Sequence, residues 1–139
     1  MALPYASEAR SFFQSAKQRL EDGQFLFNGG RNTGAVYLAG YAVECILKAL
    51  ILSALPAKAR TQMLLSFRGQ KAHDYEWLIL KYRESKGAAL PRDVERDFVR
   101  VNSWNTTLRY KPGTIRAKYA REFQNATESL VAWGEGRLG

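Results

Sequence analysis

The chain has one histidine, and it follows an arginine with four residues between them, in Arg68-Gly69-Gln70-Lys71-Ala72-His73. Imidazole exchanges protons near neutral pH and guanidinium holds phosphate through a planar fork, so the pair has the residue types for acid–base work on a phosphate ester. An Arg and a His also fall at this spacing by chance. His73-Asp74-Tyr75 opens a helical period, so packing or hydrogen bonding at a helix start is the other reading of His73. A second set lies in Trp104-Asn105-Thr106-Thr107-Leu108-Arg109-Tyr110-Lys111-Pro112. There Arg109 offers a fork for phosphate and Tyr110 a face for a base. A structural role fits the pair equally well, with Arg109 tying the loop to a carboxylate and Tyr110 packing. Arg92, Arg96 and Arg100, at i, i+4 and i+8, form a ridge pointing toward this loop, either a solvated face or a track for phosphates. One His and one Cys cannot supply a zinc site without grouped carboxylates, and Gly29-Gly30 follows no strand, so neither a metal nor a cofactor is expected.

Charge points to the same chemistry. The net charge is +8, and two stretches carry bases without acids. Cys45 to His73 holds Lys48, Lys58, Arg60, Arg68 and Lys71; Phe98 to Arg121 holds Arg100, Arg109, Lys111, Arg116, Lys118 and Arg121. Such a field attracts polyanions, nucleic acid or nucleotide phosphates first among them, although a helical protein also needs charge for solubility. The single cysteine, Cys45, excludes an intramolecular disulfide and suits a buried thiol in a reducing compartment. Residues 1–10 lack a basic region followed by an apolar core, so no signal peptide is read there, and a cytoplasmic protein is expected.

These residues must be positioned by helices. Ala35 to Leu50 is nearly all apolar, broken by Glu44 and Lys48, which a helix sets on one face as a pair contributing ~0.3 kcal/mol. Two charges in the middle of the run make it a core helix of a soluble protein rather than a membrane span. Before it, Phe12, Ala16 and Leu20 predict a helix from about Ser7 to Phe27, ended by Asn28-Gly29-Gly30. Asn32 or Thr33 is expected to cap the second helix, which Pro56 closes, and a shorter helix follows around Lys58 to Phe67. Asp74 caps the next, with Tyr75, Leu78, Ile79 and Tyr82 on one face and Gly87 at its end. Pro91 starts a stripe of Val94, Phe98 and Val101; an irregular connection runs from Asn105 to Gly113. Thr114 is expected to cap a last helix striped by Ile115, Tyr119, Phe123, Ala126, Leu130 and Trp133. The expectation is an all-α, antiparallel up-down four-helix bundle with one or two extra short helices, in a single domain spanning residues 1–139.

The run Ala35-Val36-Tyr37-Leu38-Ala39-Gly40-Tyr41-Ala42-Val43-Glu44-Cys45-Ile46-Leu47-Lys48-Ala49-Leu50 resembles the second helix of HEPN proteins, small helical proteins of bacterial and archaeal defence and toxin–antitoxin systems. His73-Asp74-Tyr75 is similar to the "G-H-D-L" start of that family's third helix, and Arg109-Tyr110-Lys111-Pro112 resembles the "RYP" element of members encoded beside a minimal nucleotidyltransferase, with Lys111 inserted. HEPN ribonucleases pair an Arg and a following His across a dimer. The equivalent place here reads Arg100-Val101-Asn102-Ser103-Trp104-Asn105, and Asn105 cannot transfer a proton near neutral pH. The resemblance therefore implies a homodimer that binds RNA or a nucleotide and acts with a nucleotidyltransferase partner, with little or no ribonuclease activity. Arg96, Arg100, Asn105, Arg109, Tyr110, Lys111 and Arg116 are the expected contacts, with Trp104 and Trp133 at the dimer interface. The rival readings are a metal-independent endoribonuclease toxin using Arg68 and His73, and a protein-binding helical module.

Overall fold

The computed structural model describes residues 6–86, 89–110 and 112–138, with the side chains of Lys86 and Arg109 also left undescribed. Gly87 and Lys111 thus lie outside the described residues. The described residues form six α-helices and two 3₁₀ turns and no strand: α1 (Ser7–Asn28), α2 (Asn32–Ala54), α3 (Ala57–Ser66), a 3₁₀ turn (Gln70–His73), α4 (Tyr75–Lys86), α5 (Arg92–Val101), a second 3₁₀ turn (Thr106–Tyr110) and α6 (Ala117–Arg137). The all-helical expectation holds, and the elements read from periodicity fall where expected to within about three residues.

Helix α2 is the axis. Val36, Ala39, Val43, Ile46, Leu47, Leu50 and Ile51 are all buried, on faces that α1, α4 and α6 cover. By length and composition α2 could cross a membrane, but 78% of its most apolar window is buried against the other helices. Gly30 turns the chain from α1 into α2 at φ +78°, which only glycine adopts without strain, and the Arg31 amide reaches back to the Leu26 carbonyl at 2.8 Å. The two helices run antiparallel, with Gly23 of α1 against Ala35 and Ala39 of α2 and the Phe12 ring beside Lys48. Helix α6 runs alongside α2 in the same direction, since Ile115 meets Asn32 and Gly134 meets Ile46 and Leu50. It is therefore antiparallel to α1, and Lys17 reaches Glu135 at 3.5 Å.

Three details differ from expectation. Neither Asn32 nor Thr33 caps α2, whose N-cap is Arg31 without a side-chain bond. Their side chains instead fasten the loop before α6: Asn32 Nδ2 donates to the Ile115 carbonyl (3.0 Å), and Thr33 Oγ1 donates to the Gly113 carbonyl (3.2 Å) and accepts from the Ile115 amide (3.1 Å). A tertiary contact has taken the groups that could have capped locally. Thr114 does not cap α6 either, because the helix begins at Ala117 after Arg116. Finally, Trp104 is 5% exposed and belongs to the core, so it is not free to form a dimer interface, and Trp133 is half-buried with its edge against Tyr82. The large apolar side chains left most exposed are Phe25, Val99 and Tyr110.

Candidate nucleic-acid interface

Trp104 organises the site. It follows α5, and its indole Nε1–H donates to the Tyr37 carbonyl at 3.1 Å. Its ring stacks on Tyr75 at 5.4 Å and 7° and meets the Tyr41 edge at 5.0 Å. Gly40 makes this possible: a Cβ there would lie 1.9 Å from the Trp104 Nε1. The Tyr75 hydroxyl donates to the Gly40 carbonyl at 2.8 Å, and burial, with the Glu44 charge behind it, pushes the phenol well above its ordinary pKa, so it stays a donor.

Two clefts share Trp104 as a lining residue. The larger, about 530 Å³, lies between the start of α2, the end of α5 and the start of α6. Val36, Trp104, Leu108 and Ile115 give it an apolar lining; Arg116 and Tyr119 supply polar groups, with the Tyr119 hydroxyl hydrogen-bonded to Ser103. Its volume falls in the range of small-ligand sites. The smaller cleft, about 300 Å³, is lined by His73, Asn102, Trp104, Asn105 and Thr106 among others. Asn105 Oδ1 accepts from the Thr107 amide at 2.9 Å and from the Thr107 hydroxyl, so this side chain also caps the second 3₁₀ turn.

His73 is held from behind. Its Nδ1 lies 2.8 Å from Glu44 Oε1, while Glu44 Oε2 accepts from Lys48 Nζ at 2.7 Å. Glu44 and Lys48 are 4% and 5% exposed, and the ammonium sits over the rings of Phe67 and Phe12 at 5.2 and 5.7 Å. The pair expected on one face of α2 is thus a buried ion pair. Lys48 is neutralised locally and adds nothing to the outer field, and Arg60 lies 3.8 Å from Glu8, which leaves Lys58, Arg68 and Lys71 of the first basic stretch. His73 itself is 41% exposed at the side chain and faces the cleft. The 3₁₀ turn Gln70–His73 delivers it, and Asp74 then caps α4 by accepting the Glu76 amide at 3.0 Å. Hydrogen bonding at a helix start therefore describes His73, and the cleft adds an open side.

The residues expected from sequence are distributed unevenly around this site. Asn105 lines the His73 cleft and Arg116 the larger one. Residues 73 and 105, far apart in sequence, thus meet in one cleft. Tyr110 ends the intervening turn with its side chain exposed. Arg96 and Arg100 are exposed on α5 and line neither cleft, and Arg100 lies 3.5 Å from Asp97. The side chain of Arg109 and all of Lys111 lie outside the described residues, and Arg68 is exposed before the first 3₁₀ turn without lining the cleft. Sequence reasoning missed Glu44 as the partner of His73, and Asn102, Thr106 and Tyr119 as lining residues. A lone carboxylate inside a run apolar on every face was the available signal for Glu44. Among the described residues, no group of three or more His, Cys, Asp or Glu could hold a metal ion.

An all-helical fold with this central helix defines the class, and comparison with family models names it. The HEPN domain model matches residues 9–137, nearly the whole chain, and the protein belongs to the HEPN domain family. Neither the curated proteins nor the solved structures gave a match.

Proposed function

We propose that the protein binds single-stranded RNA or a nucleotide through the cleft between Trp104 and Arg116. The observation that carries this reading is the 530 Å³ cleft itself, which combines an apolar lining for a base with an exposed arginine for a phosphate. The +8 net charge supports it by drawing polyanions to the surface. Membership of the HEPN family supports the wider setting: a homodimer in the cytoplasm, part of a toxin–antitoxin or defence system and acting beside a nucleotidyltransferase partner. Arg109, Tyr110 and Lys111 in the adjoining turn, with Arg96 and Arg100 on α5, extend the contact surface in this reading.

The test is anisotropy of a labelled single-stranded RNA as salt is raised. Binding should weaken with a log–log slope of about −0.7 per phosphate contact, and Arg116→Ala should lower both the affinity and the slope. Affinity indifferent to salt and to Arg116→Ala would remove the reading. A metal-independent ribonuclease is the second reading, favoured by the Glu44–His73 contact beside Asn105. Binding alone predicts no chelator-resistant cleavage of RNA; cleavage that disappears in His73→Ala would establish the enzyme instead.

A further inference from the structure

We propose that the cleft at His73 is a base-reading subsite for the nucleotide adjoining the one at Arg116, so that the smallest full ligand is a dinucleotide of single-stranded RNA; this rests on the RNA-binding reading above. Charge is the first argument. Among the described residues no Lys or Arg lines the smaller cleft, and Asp74 stands at its wall, so a neutral heterocycle fits this lining better than a phosphate. Hydrogen-bonding capacity is the second. Glu44, already accepting from Lys48, accepts from the His73 Nδ1–H, so the neutral ring offers its Nε2 to the cleft as an acceptor. With its Oδ1 taken by Thr107, Asn105 keeps its amide hydrogens as donors, while Gln70 and Asn102 offer both kinds of group. Donors and acceptors converging from several side chains are what the edge of a nucleobase requires. A volume of about 300 Å³ admits one base, and Trp104 forms a wall of both clefts, which makes them neighbours.

Calorimetry with three probes tests this: AMP, the 5′-phosphorylated adenine dinucleotide, and the same dinucleotide with its second base removed. The intact dinucleotide is expected to bind at least about tenfold tighter than the other two, the scale of one recognised base. His73→Ala should erase that advantage and leave AMP affinity within about twofold. Gln70→Ala with Asn102→Ala should reduce it in the same way, and because both side chains are exposed, this variant keeps the test valid if His73→Ala does not fold. Equal binding of the intact and base-removed dinucleotides, or variants that weaken AMP as much as the dinucleotide, would overturn the subsite while leaving the Arg116 cleft standing. Failure of AMP and of both dinucleotides to bind would overturn the RNA-binding reading, and the subsite with it.

Discussion

Replacing Glu44 by Gln is the sharpest probe of how the site is held. The carboxylate is 4% exposed and serves two partners, Lys48 at 2.7 Å and His73 at 2.8 Å. The amide removes the charge and keeps the shape, which leaves the Lys48 ammonium in the interior with only aromatic faces and one amide oxygen for company. Stranding one member of a buried pair costs about 3–5 kcal/mol, a large part of the ~5–15 kcal/mol that holds a domain together. At about 3 °C per kcal/mol for a chain of this size, the midpoint should fall by roughly 10–15 °C. Adding Lys48→Met should recover much of the loss, because the pair has then been exchanged for an apolar contact with Phe12 and Phe67. Urea titration followed by circular dichroism measures wild type, each single variant and the double variant, with thermal melts giving the midpoints and the slope m checking that unfolding stays two-state. A Glu44→Gln cost below ~1 kcal/mol, or a double variant as unstable as the sum of the singles, would refute the buried-pair reasoning.

Two further outcomes follow from the packing. Gly40→Ala should displace the Trp104 indole and destabilise by about 1–3 kcal/mol despite the better helix propensity of alanine, seen as a change in tryptophan fluorescence together with a lowered midpoint. An unchanged spectrum and stability would mean that Trp104 does not pack on α2. The Cys45 thiol is pushed up to about 11 by burial and by the Glu44 charge. Since the thiolate is the nucleophile, iodoacetamide at pH 8 should modify the folded protein about 100-fold more slowly than the urea-unfolded chain, and equal rates would place the thiol in solvent.

Much of the fold could be read from periodicity, because one-sided apolar stripes such as Val94, Phe98 and Val101 leave little choice of face. Helix α2 was different. Its apolar residues cover all sides, so the pattern announced burial without saying what lay against each side. That is why the pattern put Glu44 and Lys48 on one face without saying what covers it, and why the approach of His73 to Glu44 went unseen. The caps failed for a related reason. Asn32 and Thr33 have the right chemistry for a helix start, yet residues 113 and 115, distant in sequence, compete for the same hydrogen bonds and win. Asn105 was legible as a residue of the candidate site but not as sharing a cleft with His73, since the convergence of residues 73 and 105 on one cleft beside Trp104 depends on tertiary packing.

The three tryptophans offer the most direct test of where RNA binds. Trp104 lines both clefts, Trp77 lies by α3 with Met63 and Lys81, and Trp133 packs on Tyr82. In a ¹⁵N-labelled sample each indole N–H gives its own resonance, assignable by substitution. Titration with a short single-stranded RNA is predicted to shift the Trp104 indole in a saturable manner and to leave Trp77 and Trp133 in place. Shifts confined to Trp77 or Trp133, or no shift at Trp104 when the RNA is bound, would contradict the assignment of the interface to the clefts beside Trp104.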